Sequence, residues 1–444
     1  MSRIKEQTDN SFFATDSAWQ IMLKTAPPVM LAQLIQALYN MVDSYFIGRF
    51  SEDGLTALSV IFPIQWLIIA FAVGTGVGVN TLAARYYALN EKEKADETAA
   101  TGMVLAALTW GVFSVLAVLF LQFYVKASAK ADSAVSYAMS YGLIVCVGSL
   151  GIFLESIWTK VHQAQGNMKR PMVAQIAGAI TNIILDPVLI FGMGPIPEMG
   201  IVGAALATVA GQAVAAIITA KGAIHRPVRF RKMFSYIRRI YSLGYPSIFM
   251  QMLCTVYIVV LNIILAGFSD AAVTVLGLYY KVQSFFFIPI GGLQTCIVPV
   301  LSYNYSRGSY ERCKEVLKAS VLMAMGLMLI GVLSFELIPD KLIRIFSDSK
   351  EVLEIGKTAF RIIGSSFLPA VLSLILPVFF QAIGRAVPSV VLALMRQIVC
   401  LIPVFYGLSF IGLNNTWFAF PIAETITGAV GVCLYLKQLK KWKP

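Results

Sequence analysis

One register constrains this chain more than any other feature: residues 28 to 164 recur 218 positions later without a gap. Pro28 falls on Pro246, Gln33 on Gln251, Tyr39 on Tyr257, Phe50-Ser51 on Phe268-Ser269, Gln65 on Gln283, Gly74 on Gly292 and Gln163-Ala164 on Gln381-Ala382. Two copies of one folding unit are expected. The match breaks at a carboxylate, because Asp43 of the first copy falls on Leu261 of the second.

Hydrophobic residues make up 58% of the chain and charged residues 13%, about half of the roughly 25% charged fraction of a soluble domain. Most of the chain must therefore face something other than water. Crossing a ~30 Å hydrocarbon layer takes about 20 apolar residues. Such stretches lie near 18–48, 55–87, 98–124, 135–162, 170–192 and 199–223, then near 241–267, 271–305, 314–338, 357–384, 388–412 and 415–437. The expected fold is an all-α integral membrane protein with twelve transmembrane helices in two six-helix bundles. Six being even, the copies are parallel repeats about an axis along the membrane normal, a plan suited to alternating access. The first lobe is set at 1–224, a basic connector at 225–240 and the second lobe at 241–444.

Lys221, Arg226, Arg229, Arg231, Lys232, Arg238 and Arg239 cluster between the copies, and Lys437, Lys440, Lys441 and Lys443 end the chain. Basic loops stay inside, so both termini are expected in the cytoplasm. The polar start up to Ser17 lacks the apolar core of a removable signal peptide. The net charge of +12 sits in loops facing anionic lipid, which argues against a nucleic-acid partner. Of six cysteines, five lie in helices and Cys313 in an inner loop, so no extracellular disulfide is expected. Two histidines, His162 and His225, supply no metal cluster. The absence of a GxxxxGK[ST] loop leaves an ion gradient as the energy source. Gly74, Gly76 and Gly78 sit within an apolar helix and mark close helix packing. In the connector, Phe230, Met233, Phe234 and Ile237 suggest a helix lying on the inner surface.

In the first helix Gln33, Gln36, Asn40 and Asp43 recur at steps of three and four, so they share a face. An ionisable group within a membrane helix is a functional candidate by default. In the fifth, Asn182 and Asp186 are four apart, and Pro187 removes a backbone bond and frees the Ile183 carbonyl. Counted from the helix ends, Asp43, Asp186 and Thr208 lie at one depth. Two carboxylates close together in a medium of low dielectric resist double ionisation and behave as one unit. They would share protons, or a sodium ion held with oxygens of Asn182 and Thr208. The structural alternative is that buried donors such as Tyr39 or Gln65 pair with the acids and hold helices together.

The second copy carries Lys281 and Arg361 within helices, Arg396 in the eleventh and Glu424 in the twelfth. Allowing a two-residue shift set by Pro187 and Pro403, Glu424 takes the place of Thr208. Glu424 and Lys281 could bind a cationic or zwitterionic substrate or neutralise each other as a buried pair. Glu155 is expected to form a local ion pair with Lys160 or a gate contact. Tyr279, Tyr280 and Phe285 to Phe287 are expected mainly as packing.

Several stretches together are distinctive: Asn40-Met-Val-Asp43-Ser-Tyr-Phe-Ile-Gly48-Arg49, Gln165-Gly-Asn-Met-Lys-Arg-Pro171, Asn182 with Asp186-Pro187, Gly203-Ala-Ala-Leu-Ala-Thr208, and the tail from Arg396-Gln397 through Ile402-Pro403 to Glu424. They resemble the multidrug and toxic compound extrusion (MATE) family, in its bacterial MepA-like and DinF-like branch, over essentially the whole chain. The resemblance implies efflux of diverse, often cationic compounds in exchange for protons or sodium, with Asp43, Asn182, Asp186 and Thr208 as coupling residues. A second-lobe sodium site found in another branch has no acid here between Lys357 and Gly384. The expected protein is thus a monomeric antiporter of a bacterial plasma membrane, without a cofactor, acting on amphiphilic or cationic small molecules among membrane lipid. Gln33, Gln36, Asn40, Tyr39, Gln65, Lys281 and Glu424 are further polar candidates. A lipid-linked precursor flippase is the alternative, needing Lys281, Arg361 and Arg396 for a pyrophosphate. A membrane-embedded enzyme lacks a nucleophile with its base.

Overall fold

The computed structural model describes residues 12–128, 132–226, 228–346 and 349–442. Seven long helices come first: α1 (Ala18–Phe50), α2 (Glu52–Ala88), α3 (Lys92–Ser128), α4 (Asp132–Gly148), α5 (Leu150–Ala164), α6 (Lys169–Ile190) and α7 (Gly200–Ala220). Then follow α8 (Phe230–Ala266), α9 (Asp270–Ser306), α10 (Tyr310–Leu337), α11 (Lys350–Gly364), α12 (Phe367–Ala382), α13 (Ala386–Leu394), a π-turn at Met395–Leu401, α14 (Ile402–Ser409) and α15 (Ala419–Lys440). Ten spans among the described residues are long and apolar enough to cross a membrane, α13 to α14 counting as one. The pairs α4–α5, bent by 41°, and α11–α12, bent by 53°, bring the number to the expected twelve.

The repeat is visible in local chemistry. Ser51 caps α2 by accepting from the Gly54 N–H at 3.3 Å, and Ser269, its counterpart, caps α9 by accepting from the Ala272 N–H at 3.2 Å. Such a cap satisfies a backbone donor that the helix itself leaves open. Both bends also fall within one residue of matching places. Ser149 donates to the Cys146 carbonyl at 2.6 Å and Ser366 to the Ile363 carbonyl at 2.6 Å. A hydroxyl bonded back onto its own helix competes with the regular ladder and favours a break there.

Packing divides the chain into two compact units, Pro27–Ile248 with Met1–Phe13, and Phe249–Pro444 with Ala14–Ala26. The boundaries fall inside α1 and α8, close to Pro27, Pro28 and Pro246, which each helix contains. The first unit's core joins Ile68, Ala72 and Val79 of α2 to Phe153, Ile157 and Trp158 of α5 and to Ile240 and Leu243 of α8. In the second, Tyr279, Phe335, Phe360 and Phe367 form a buried aromatic cluster, with Phe335 and Phe360 stacked at 4.8 Å. Tyr279, the one of these rings singled out from the sequence, packs edge-on against Phe335 at 6.2 Å.

The glycine run in α2 is a nesting surface. A methyl group on Gly78 would sit 2.2 Å from the Ile240 carbonyl oxygen, and one on Gly74 2.2 Å from Ile248 Cγ1. Gly244 of α8 faces the Gly74 carbonyl in return. This close approach corrects the expected surface helix in the connector. From Phe230 onward the connector is the first part of α8, with Met233, Tyr236 and Ile240 buried and Phe234 exposed. Lys232 Nζ and Tyr236 Oη both donate to Glu97, at 3.1 and 2.6 Å, and Arg239 donates to Tyr86 Oη at 2.7 Å. The second half of the 225–240 connector is therefore fixed to the first unit by helix nesting and polar bonds.

Candidate functional site

The 3.6-residue repeat of α1 puts Gln36, Tyr39, Asn40 and Asp43 along one wall of a cavity of about 170 Å³ in the first unit. Gln65 of α2, Tyr141 of α4 and Thr208 of α7 supply other walls. Gln33 does not line it, although it shares the helix face. One more turn along α1 has carried it past the cavity.

Asp43 and Asp186, 143 positions apart in sequence, come within side-chain hydrogen-bonding reach of each other. Asp186 is fully buried and Asp43 nearly so. Asn182, one turn before Asp186 on α6, ties Asp186 to α7. With its amide oriented to satisfy both ends, Nδ2 donates to Asp186 Oδ2 at 3.1 Å and Oδ1 accepts from the Thr208 N–H at 3.3 Å. α6 runs through Pro187 to Ile190 without ending. Sequence reasoning thus placed Asp43, Asn182, Asp186 and Thr208 together, and the structure brings these four side chains to one place.

Of the donors expected to satisfy the acids, Gln65 donates elsewhere, whereas Tyr39 accepts from Gln36 and keeps its own O–H to donate. Gln65 Nε2 donates to Tyr141 Oη at 3.4 Å, and Gln36 Nε2 to Tyr39 Oη at 3.2 Å. Asp43 Oδ1 is buried without a hydrogen-bond partner among the described residues. A buried carboxylate oxygen without a donor is costly unless a proton or cation fills it. Among the described residues Asp43 is also the one charged side chain lining the cavity. Tyr141 was missed from the sequence, since a lone tyrosine in an apolar helix carries no periodic signal.

The second unit answers differently. Glu424 does not pair with Lys281. Its carboxylate is gripped by Arg396, with Nε 2.8 Å from Oε1 and 3.0 Å from Oε2 and Nη2 2.7 Å from Oε1, and it also accepts from Ser373. Lys281 is exposed and stands over the Phe346 ring at 5.8 Å. The reason is azimuth: the π-turn and α15 turn Arg396 and Glu424 toward each other, whereas Lys281 on α9 points away. In α5, Glu155 accepts from Thr159 at 2.6 Å and Lys160 donates to Gln163 at 3.0 Å. Among the described residues no group of three His, Cys, Asp or Glu side chains is placed to hold a metal ion.

Comparison with known proteins gives a consistent picture. The MatE family model matches residues 28–188 and 246–406, which stand in the same 218-residue register. The FAD transporter of Shewanella oneidensis is 24% identical over 428 residues, covering 94% of this chain and 94% of its own. The multidrug export protein MepA of Staphylococcus saprophyticus is 24% identical over 426 residues, covering 94% and 93%. Among solved structures, a MOP superfamily transporter from Pyrococcus furiosus superposes with a TM-score of 0.90 at 21% identity, over all of both chains. A Vibrio cholerae MATE transporter gives 0.90 at 19% identity, covering 97% of this chain and 98% of its own.

Proposed function

The chain belongs to the MatE family, whose members are membrane transporters and not enzymes, and on that premise we propose that it exports amphiphilic cations in exchange for protons or sodium. The observation that carries this reading is the open oxygen of Asp43, buried at the edge of a cavity and beside a second carboxylate. Such a pair takes up a cation to relieve its charge, and an organic cation and the coupling ion compete for that relief. A ligand shifts a conformational equilibrium only through its different affinities for the two states. Alternating access then follows if ion and substrate favour opposite states. Basic residues around 221–239 and at the C-terminus support a bacterial plasma membrane location with both termini cytoplasmic. A monomer carries all the named groups.

The test is efflux of a fluorescent lipophilic cation from proteoliposomes under an imposed pH or sodium gradient, with Asp43→Asn alongside. Gradient-driven export by the wild type and its loss in a well-folded Asp43→Asn supports the reading and identifies the ion. Unchanged export by the variant refutes it. A flavin nucleotide is the second substrate reading, because the FAD transporter of Shewanella oneidensis is as similar as MepA. The acid-lined cavity argues against an anionic cargo, and competition by FAD in the same assay decides between them. A lipid-linked pyrophosphate is disfavoured similarly, since Arg396 is engaged by Glu424.

A further inference from the structure

We infer that Arg396 is the resident cation of the second lobe: its guanidinium occupies the place beside Glu424 that an exchangeable cation would take, and so confines reversible cation binding to the first lobe. This rests on the reading of Asp43 and Asp186 as a cation site.

The two lobes build their polar pockets from matching positions. Tyr257 stands where Tyr39 does and Gln283 where Gln65 does, Glu424 takes the place of Thr208 with the two-residue shift set by Pro187 and Pro403, and all three line a pocket in the second unit. The difference lies in how charge is satisfied. In the first unit an acid lines about 170 Å³ of space with one oxygen open. In the second, Arg396 and Ser373 between them occupy both oxygens of Glu424, and the space left is about 20 Å³. That is room for about one water, which needs some 10–15 Å³, and not for an ion with its ligands. Arginine suits the part because it stays charged in any protein and its planar fork matches a carboxylate. A lysine in its place would be a mobile point charge with weaker geometric hold. The residue sits on the π-turn at Met395–Leu401, a local widening often found at functional positions. The charged groups lining the pocket are Arg396 and Glu424, with the neutral phenols of Tyr257, Tyr279 and Tyr280 around them.

The experiment is equilibrium binding to the purified full-length chain, with sodium and methylguanidinium as cations and acetate as anion. Wild type is expected to bind at most one cation, lost in Asp43→Asn. Arg396→Ala is expected to gain one methylguanidinium site, at least tenfold tighter than any in Arg396→Ala/Glu424→Gln. Arg396→Lys should keep the wild-type stoichiometry. Should Arg396→Ala fail to fold, Glu424→Gln exposes the opposite charge and is expected to gain an acetate site. A second wild-type cation that disappears in Glu424→Gln overturns the inference, as does a folded Arg396→Ala without a new cation site or a folded Glu424→Gln without an acetate site. Cation binding that survives Asp43→Asn at wild-type stoichiometry and is also unaffected by Glu424→Gln overturns the first-lobe reading instead, and the two failures stay distinct.

Discussion

Replacing Gly78 by alanine tests the helix nesting on which the first unit is built. The added methyl would meet the Ile240 carbonyl oxygen at 2.2 Å, whereas real Cβ atoms essentially never come within 3.0 Å. The two backbones must therefore part by about 0.8 Å along that line, because neither a carbonyl in a helix nor a Cβ can rotate away. A gap of 0.5–1 Å forfeits roughly a quarter to a half of each dispersion contact along the seam, and overpacking of this kind costs roughly 1–3 kcal/mol. Alanine's better helix propensity returns up to about 1 kcal/mol. The net expectation is a loss of about 1–2 kcal/mol. Gly326 in α10 is the internal control, since nothing lies within 4 Å of its added methyl, and Gly326→Ala is expected to be stabilising by roughly 0.5–1 kcal/mol. Heating detergent-purified protein and measuring the remaining monodisperse fraction by size exclusion gives the order of the three proteins. Gly78→Ala at or above the wild type would refute the close approach of α2 and α8.

Three more outcomes follow from single contacts. Ser51→Ala and Ser269→Ala each remove one helix cap and are expected to cost about 1 kcal/mol apiece; thermal stability that falls in one and not the other would break the equivalence of the two copies. Asn182→Leu strips Asp186 of its amide donor in a buried site, with an expected loss of roughly 1–3 kcal/mol and loss of coupled export, read by unfolding and by proteoliposome flux. Glu97→Gln keeps a partner for Tyr236 and weakens only the exposed Lys232 pair, so stability is expected to change by under about 1 kcal/mol; a collapse in the heating assay would show that the bond network around Glu97 matters more than its exposure suggests.

Much of the architecture was legible because membrane helices write themselves in composition. Twelve apolar runs, their duplication and the polar face of α1 can be counted from the chain, and the depth of Asp43, Asp186 and Thr208 follows from rise per residue. Ser51 and Ser269 stand as a matching pair in the repeat, but that both cap helices is visible only in the structure. The breaks at Ser149 and Ser366 were not readable, because a serine in an apolar run is as compatible with a straight helix as with a bent one. The connector was misjudged for a similar reason: an amphipathic pattern from Phe230 onward fits a surface helix and a docked one equally, and what decided was the pair of glycine faces on α2 and α8.

What the sequence by itself determined is the spacing of groups along each helix, and hence which residues share a face and a level. What only the tertiary structure decided is the rotation of each helix about its own axis relative to its neighbours. That rotation put Tyr141 into the cavity, left an oxygen of Asp43 open, and gave Glu424 to Arg396 rather than Lys281. Rotation is fixed by the interlocking of many side chains at once, each contributing only ~0.1–0.2 kcal/mol per atom pair, so no single residue announces it.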